Sequence, residues 1–334
     1  MAIGTPEWLD QVQEDILAPG LPICDPHHHL WDHPESRYLL PELLEDTGSG
    51  HNVVSTVFVE CASMYRAEGP EAMRPVGETE FVNGIAAMSA SGQYGETRAC
   101  LGIVGFADLT LGTAVGEVLD AHMVRTERFK GVRHAAGWDA SPDVRNSHTR
   151  PFEHLLLDPT FREGFAELDR RGLSFDAWLY HPQIDELTDL ARAFPETTIV
   201  FDHFGGPLGI GPYEGRRGEI FPVWAESVAT LARCENVVAK LGGLVMPING
   251  FGFHKRAKPP TSDEIVAATG DYYRHALDCF GPSRCMFESN FPVDKQSVSY
   301  AVLWNAFKKL TAGFSATEKA DLFHDTAARA YRLD

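Results

Sequence analysis

The segment Asp25-Pro26-His27-His28-His29 closes the first apolar run of the chain, and its residue types can do chemistry. Alternate residues of a strand point the same way, so His27 and His29 are expected on one face with Asp25 one pleat below. Two imidazoles held side by side at a strand end make half of a metal site or an acid–base pair. A histidine-rich turn with no ligand is the plain alternative for this segment alone. Further along, other apolar runs end in ionisable groups: Glu60, Arg133, Asp202-His203, Lys240, and Glu288 with Asn290 and Asp294. So many such groups on one rim are costly to hold unless they pair or bind something.

Eight short, β-rich runs must position these residues: Ile23–Leu30, Val53–Cys61, Ala99–Phe106, Phe129–His134, Leu173–Tyr180, Thr198–His203, Val237–Leu241 and Cys285–Asn290. Most are nearly continuous in apolar residues, as in a parallel sheet covered on both faces. Amphipathic stretches such as Thr79–Ser91, Pro151–Arg171 and Thr261–Phe280 lie between them. Eightfold strand–helix alternation predicts an α/β fold, a single-domain (β/α)8 TIM barrel. An open doubly wound sheet is the competitor, but no GxGxxG follows the first strand. Three long connections, Asp32–Asn52, Gly205–Glu219 and Gly242–Pro260, follow strands and so rise at the face where this fold builds its sites. Residues 1–20 read as an N-terminal extension and 21–334 as the barrel, closed by a helix over Ser315–Leu333.

The formal charge of −18 opposes binding to phosphate backbones and anionic lipid, leaving a small-molecule substrate as the expected partner, with no nucleic acid and no membrane. Six cysteines without a CxxC pair read as reduced core residues of a cytoplasmic protein. The start of the chain is acidic and lacks the pattern of a signal peptide, and no apolar run reaches the roughly 20 residues of a membrane span. Oligomeric state is left open, a homodimer being the commonest outcome for soluble proteins.

Four motifs in order carry a resemblance: Asp-x-His-x-His at Asp25–His29, Asp-His-Phe-Gly at Asp202–Gly205, Val-Ala-Lys-Leu-Gly-Gly at Val238–Gly243, and Glu-Ser-Asn-Phe-Pro at Glu288–Pro292. With these the chain resembles the amidohydrolase-related family of TIM-barrel hydrolases. It is most similar to the branch with sugar lactonases, pyrone-dicarboxylate lactonase and sulfomuconolactone hydrolase. The resemblance runs from about Cys24 to the end of the chain. It implies that His27 and His29 match a pair binding a divalent metal in many members. His203 matches a histidine that binds metal or polarises the substrate carbonyl. The final-strand position that usually holds a proton-accepting Asp is here Asn290.

An amide has no accessible pKa, so Asn290 cannot be the base and is left to donate or accept a hydrogen bond. The candidate bases are Glu288, then Asp294, then Glu60; a buried ion pair of Glu288 with Lys240 or Arg133 is the structural alternative. His27, His29 and His203 can hold Zn²⁺ with an open water position. A metal-independent site is the other option, since some members of the lactonase branch work without one. Arg133, Lys240, Glu60, Tyr180 and Arg217 are the expected substrate-binding residues, the cations for a carboxylate and the tyrosine for a ring. The expected activity is hydrolysis of a lactone of a small carboxylated or sugar-acid-like compound. The competitors are a non-oxidative aromatic-acid decarboxylase and a barrel that has lost catalysis and only binds a ligand.

Overall fold

A computed structural model describes residues 4–34 and 36–333. Strands β1 (Pro22–His28), β2 (Asn52–Val59), β3 (Arg98–Gly105), β4 (Phe129–Arg133), β5 (Ser174–Ala177), β6 (Ile199–Phe201), β7 (Val237–Leu241) and β8 (Cys285–Phe287) pair in parallel, each with its neighbour in the chain. The ring closes beyond β8, where Asn290 N donates to His27 O (3.0 Å) and His29 N to Phe291 O (2.8 Å). One helix follows each strand: α1 (Leu40–Thr47), α2 (Val76–Ala90), α3 (Val115–Arg125), α4 (Pro159–Asp169), α5 (Ile184–Ala193), α6 (Arg217–Leu231), α7 (Ser262–Phe280) and α8 (Tyr300–Leu310). This is the (β/α)8 barrel expected from the alternation.

Strand parity sorts the side chains into two cores. Phe58, Ile103, Val132, Phe175, Phe201, Leu241 and Phe287 point outward and join the shell under the helices. Val57, Val59, Val104, Val200 and Met286 point inward and pack with Ala327 and Tyr331 of the closing segment. That segment seals the end of the barrel where the strands begin, since Arg332 Nη2 donates to Lys130 O (2.6 Å) at the second residue of β4. Ionisable residues of the same inward parity therefore lie above the apolar plug, toward the strand ends.

Some local expectations change. Asp25 does not share the face of His27, because the β1–β2 register slips between Asp25 and His28. Its carboxylate turns to Ser289 N (3.0 Å) and to the Tyr300 hydroxyl of α8 (2.9 Å), clasping the first strand to the last. The helix expected from Pro151 starts only at Pro159, where Asp158 caps Phe161 N (2.8 Å) and proline suits the first turn. That leaves residues 134–158 as a fourth long connection. The closing helix is broken into Ala316–Ala320, a widened turn over Asp321–Asp325, and Thr326–Tyr331. The N-terminal stretch packs on the barrel: Trp8 is buried with its indole donating to Arg256 O and Ala257 O (both 3.2 Å), and Glu14 accepts from Ser262 N (2.7 Å) at the start of α7.

Candidate functional site

Just past β6 and β8 the backbone turns left-handed, with φ near +53° at His203 and +55° at Asn290. Such positions cost energy and cluster at sites where the surroundings fix them. The two glycines after β7 make room for the result. A Cβ at Gly243 would lie 2.6 Å from the His203 ring, and one at Gly242 would lie 2.3 Å from Glu288 Cγ. The Leu-Gly-Gly motif is thus a clearance for two functional side chains.

Those side chains meet. Glu288 Oε1 lies 2.6 Å from His203 Nδ1, and Oε2 lies 2.8 Å from His27 Nδ1 without the alignment of a hydrogen bond. The His27 and His203 ring centroids are 4.5 Å apart. Among the described residues, His27, His203 and Glu288 are the set whose donor atoms come within 4.8 Å of one another and suit a metal ion. Burial, reinforced by the Lys240 charge, holds the His27 imidazole neutral, well below the ordinary histidine range; burial also lowers His203 to about 3. Neutral imidazoles are the form that binds a cation.

Beneath this group lies a sealed ionic layer. Lys240 Nζ is 2.6 Å from Asp176 Oδ2, 3.3 Å from Asp202 Oδ1 and 3.3 Å from His27 Nδ1, and the Tyr331 hydroxyl donates to Asp176 (2.6 Å). All five of these ionisable groups are inaccessible to solvent. Above it, Arg133 Nη1 sits 3.3 Å from His27 Nε2, and Arg133 Nε donates to Glu60 Oε1 (2.8 Å). If all were ionised, the buried carboxylates Glu60, Asp176, Asp202 and Glu288 would outnumber the buried cations Arg133 and Lys240 by two. Burial accordingly pushes the Glu288 carboxyl up to about 8 and Asp202 up to about 6, the neighbouring Lys240 pulling the other way. Both Asp202 oxygens and Glu288 Oε2 lack a hydrogen-bond donor. A divalent cation among His27, His203 and Glu288 would offset that negative charge and give Glu288 Oε2 a partner, so these residues fit one.

Over this floor opens a cavity of about 520 Å³, walled by His29, Arg133, Arg145, His148, Trp178 and Tyr180 among others. Trp178 stacks edge-on to His203 at 4.9 Å, tying the wall to the donor group. His148 Nε2 lies 2.9 Å from Glu60 Oε2. Burial would raise the Glu60 carboxyl, but Arg133 and then His148 more than offset it and hold it near 2.

The grouping differs from expectation at several residues. His29 lies beside His27 (ring centroids 5.0 Å) but outside the donor set, its Nδ1 bonded to Val59 O (2.8 Å) and its ring facing the cavity. Glu288 takes its place in the set. None of the three expected bases reaches the cavity: Glu288, Asp294 and Glu60 are fully buried. Asp294 accepts from Asn290 Nδ2 (3.0 Å), and burial keeps its carboxyl well above the usual range. Lys240 belongs to the sealed layer and cannot touch a substrate. Arg217 lies away from the cavity, stacked 3.7 Å over Phe251 and bonded to Asn249 O (2.9 Å). Tyr180 does line the cavity, its hydroxyl donating to Arg145 O.

Sequence reasoning gave no role to Asp176, Asp202 or His148. Inward parity at the end of the fifth strand could have found Asp176, and Asp202 stands inside a quoted motif. His148 carries one signal only, its place in residues 135–150, between the fourth apolar run and the amphipathic stretch from Pro151, and long connections in compact domains are often functional.

Comparison with known proteins adds the following. The family model described as amidohydrolase matches residues 24–333. An uncharacterised protein of Sinorhizobium fredii is 34% identical, the match covering 93% of this chain and 98% of the relative. A protein named L-fucono-1,5-lactonase from Burkholderia multivorans is 24% identical, covering 92% of this chain and 95% of its own. A crystal structure of an amidohydrolase from Burkholderia multivorans with bound zinc superposes with a TM-score of 0.71 at 23% identity, covering 93% and 99% of the two chains. The 5-carboxyvanillate decarboxylase of Sphingomonas paucimobilis shares the fold at a TM-score of 0.56 and 14% identity, covering 94% and 100%.

Proposed function

The chain belongs to the amidohydrolase family, and from that premise we propose that it hydrolyses a lactone of a small carboxylated or sugar-acid-like compound. One observation carries the reading. Two imidazoles and a carboxylate meet in the barrel beneath a cavity whose charged wall includes two arginines, in a protein that is otherwise strongly acidic. The 24% identity to a protein named as a sugar lactonase supports it.

In this reading His27, His203 and Glu288 hold a divalent cation, and their nitrogen and carboxylate donors suit zinc. When bound, such an ion supplies Lewis acidity toward a carbonyl and a lowered pKa for water. The chain's own residues do the rest. Arg133 is fixed by Glu60, so its guanidinium is preorganised to orient a carboxylate or hydroxyl of the substrate. Trp178 and Tyr180 present flat faces to a ring. Lys240, held by Asp176 and Asp202, supports His27 from below, and burial together with the Lys240 charge keeps its imidazole neutral.

A pH-stat assay over sugar-acid lactones and carboxylated pyrones, with zinc or manganese added, tests the proposal. Base uptake matched by loss of the lactone is the expected result. Carbon dioxide release from aromatic acids without lactone turnover would favour a decarboxylase. Binding of hydroxy acids with no turnover of any lactone would favour a ligand-binding barrel.

A further inference from the structure

With Asn290 at the usual base position and Glu288, Asp294 and Glu60 all sealed from the cavity, the proposed hydrolysis lacks a proton acceptor. We propose that His148, held by Glu60, is the proton shuttle of the reaction. This inference rests on the lactonase reading above and extends it to a residue of the 134–158 connection.

The geometry is that of an oriented base. A third of the His148 side chain is exposed (34%) and it lines the same cavity as Arg133, while its partner Glu60 is completely buried. Glu60 accepts from Nε2–H, which fixes the tautomer and leaves Nδ1 with its lone pair; among the described residues Nδ1 has no hydrogen-bond partner. A buried carboxylate behind an imidazole also stabilises the imidazolium formed when a proton arrives. The segment is pinned on both sides of the histidine, by Ser147 N to Gly137 O (2.9 Å), Thr149 Oγ1 to Ala135 O, and Asn146 Oδ1 from Asp139 N (2.7 Å). The charged and titratable groups facing the ring are Glu60 from β2, with Arg133 and His134 at the end of β4. His29, which also lines the cavity, has Val59 O rather than a carboxylate behind it, and burial together with Arg133 disfavours its protonation.

The step balances without a further reactant. As the water oxygen bonds to the carbonyl carbon, its proton passes to His148 Nδ1. As the ring C–O bond breaks, its electron pair stays on the ring oxygen, and the same proton passes from Nδ1 to that oxygen. His148 ends as it began, and the product is the open hydroxy acid.

The test compares wild type, His148→Gln and His148→Ala on the best lactone of the panel, with zinc content and thermal melting measured in parallel. Expected is a fall in kcat of about 100-fold or more with KM changed only a few-fold. The acid limb of the wild-type kcat profile should vanish in His148→Gln, and added imidazole should restore part of the rate in His148→Ala. Should either variant fail to fold, diethyl pyrocarbonate labelling of wild type replaces it: inactivation should track modification of His148 and be slowed by the hydroxy-acid product. A folded His148→Gln enzyme within threefold of wild-type kcat and with the same pH profile overturns the inference alone, as does labelling of His148 without loss of rate. A wild-type enzyme that opens no lactone overturns the functional reading, and this inference with it.

Discussion

Two clusters of ionisable residues share one barrel and behave differently. Beneath His27, Lys240 with Asp176, Asp202 and Tyr331 forms a layer without solvent access and with apolar packing below. At the mouth, Glu60 is equally buried but shares its oxygens with Arg133 and with a His148 that faces the cavity. The lower cluster is closed by its own members and by the closing helix, so it sets charge and position. The upper one ends in an open nitrogen and two arginines, so it can meet a substrate. Residue type alone does not separate the two; access to the cavity does.

The comparison can be broken most sharply at the donor set. His203→Ala should lose the bound ion and reduce turnover by more than the roughly 10–100-fold typical of residues that only support a ligand; metal analysis with the lactone assay checks both. Retention of metal and rate would place the chemistry elsewhere.

Next in size is Lys240→Met, which leaves Asp176 and Asp202 buried without their cation. Breaking such a pair costs about 3–5 kcal/mol, to be read from urea unfolding, and activity should fall with it as His27 loses its support. A loss under about 1 kcal/mol would show that the lower layer is held by something other than this ion pair.

Glu60 sharpens the contrast through pH. Its carboxyl is held near 2, below the ordinary 4.5, because Arg133 and His148 outweigh the cost of burial. A carboxyl lowered by folding adds stability above its ordinary value and loses it as pH falls from 4.5 toward 2. Urea unfolding between pH 6 and 3 should therefore show a shallower acid loss in Glu60→Gln than in wild type. Equal slopes would mean that Glu60 is not held ionised. The smallest effect is expected at Arg217→Ala, which removes a stack on Phe251 worth about 1 kcal/mol and leaves turnover within twofold. A large rise in KM there would return Arg217 to the substrate.

Much of this was legible in the sequence. Eight apolar runs with helices between them were enough for the barrel, because strand period and burial on both faces leave a strong pattern. The convergence of His27, His29 and His203 followed from strand ends sharing a rim. What the sequence could not show was depth. Glu288, two residues before Asn290, read as a base, but its carboxylate lies at the level of two imidazole nitrogens and out of reach of the cavity. Lys240 read as a substrate cation, because inward parity does not say whether a side chain ends above or below the level of His27 and His203. Asp25 was misplaced by a register slip that no local residue announces. His148 was missed because a loop residue acquires meaning only from what it folds against, here a Glu from a strand two places away.

The central claim is that the donor set consists of His27, His203 and Glu288, with His29 outside it. Zinc binding to metal-stripped wild type, His29→Ala and Glu288→Gln, followed by calorimetry, tests it most directly. The account predicts one equivalent bound by wild type and by His29→Ala, and binding weakened at least tenfold in Glu288→Gln. Zinc bound tightly by Glu288→Gln but lost from His29→Ala would contradict it.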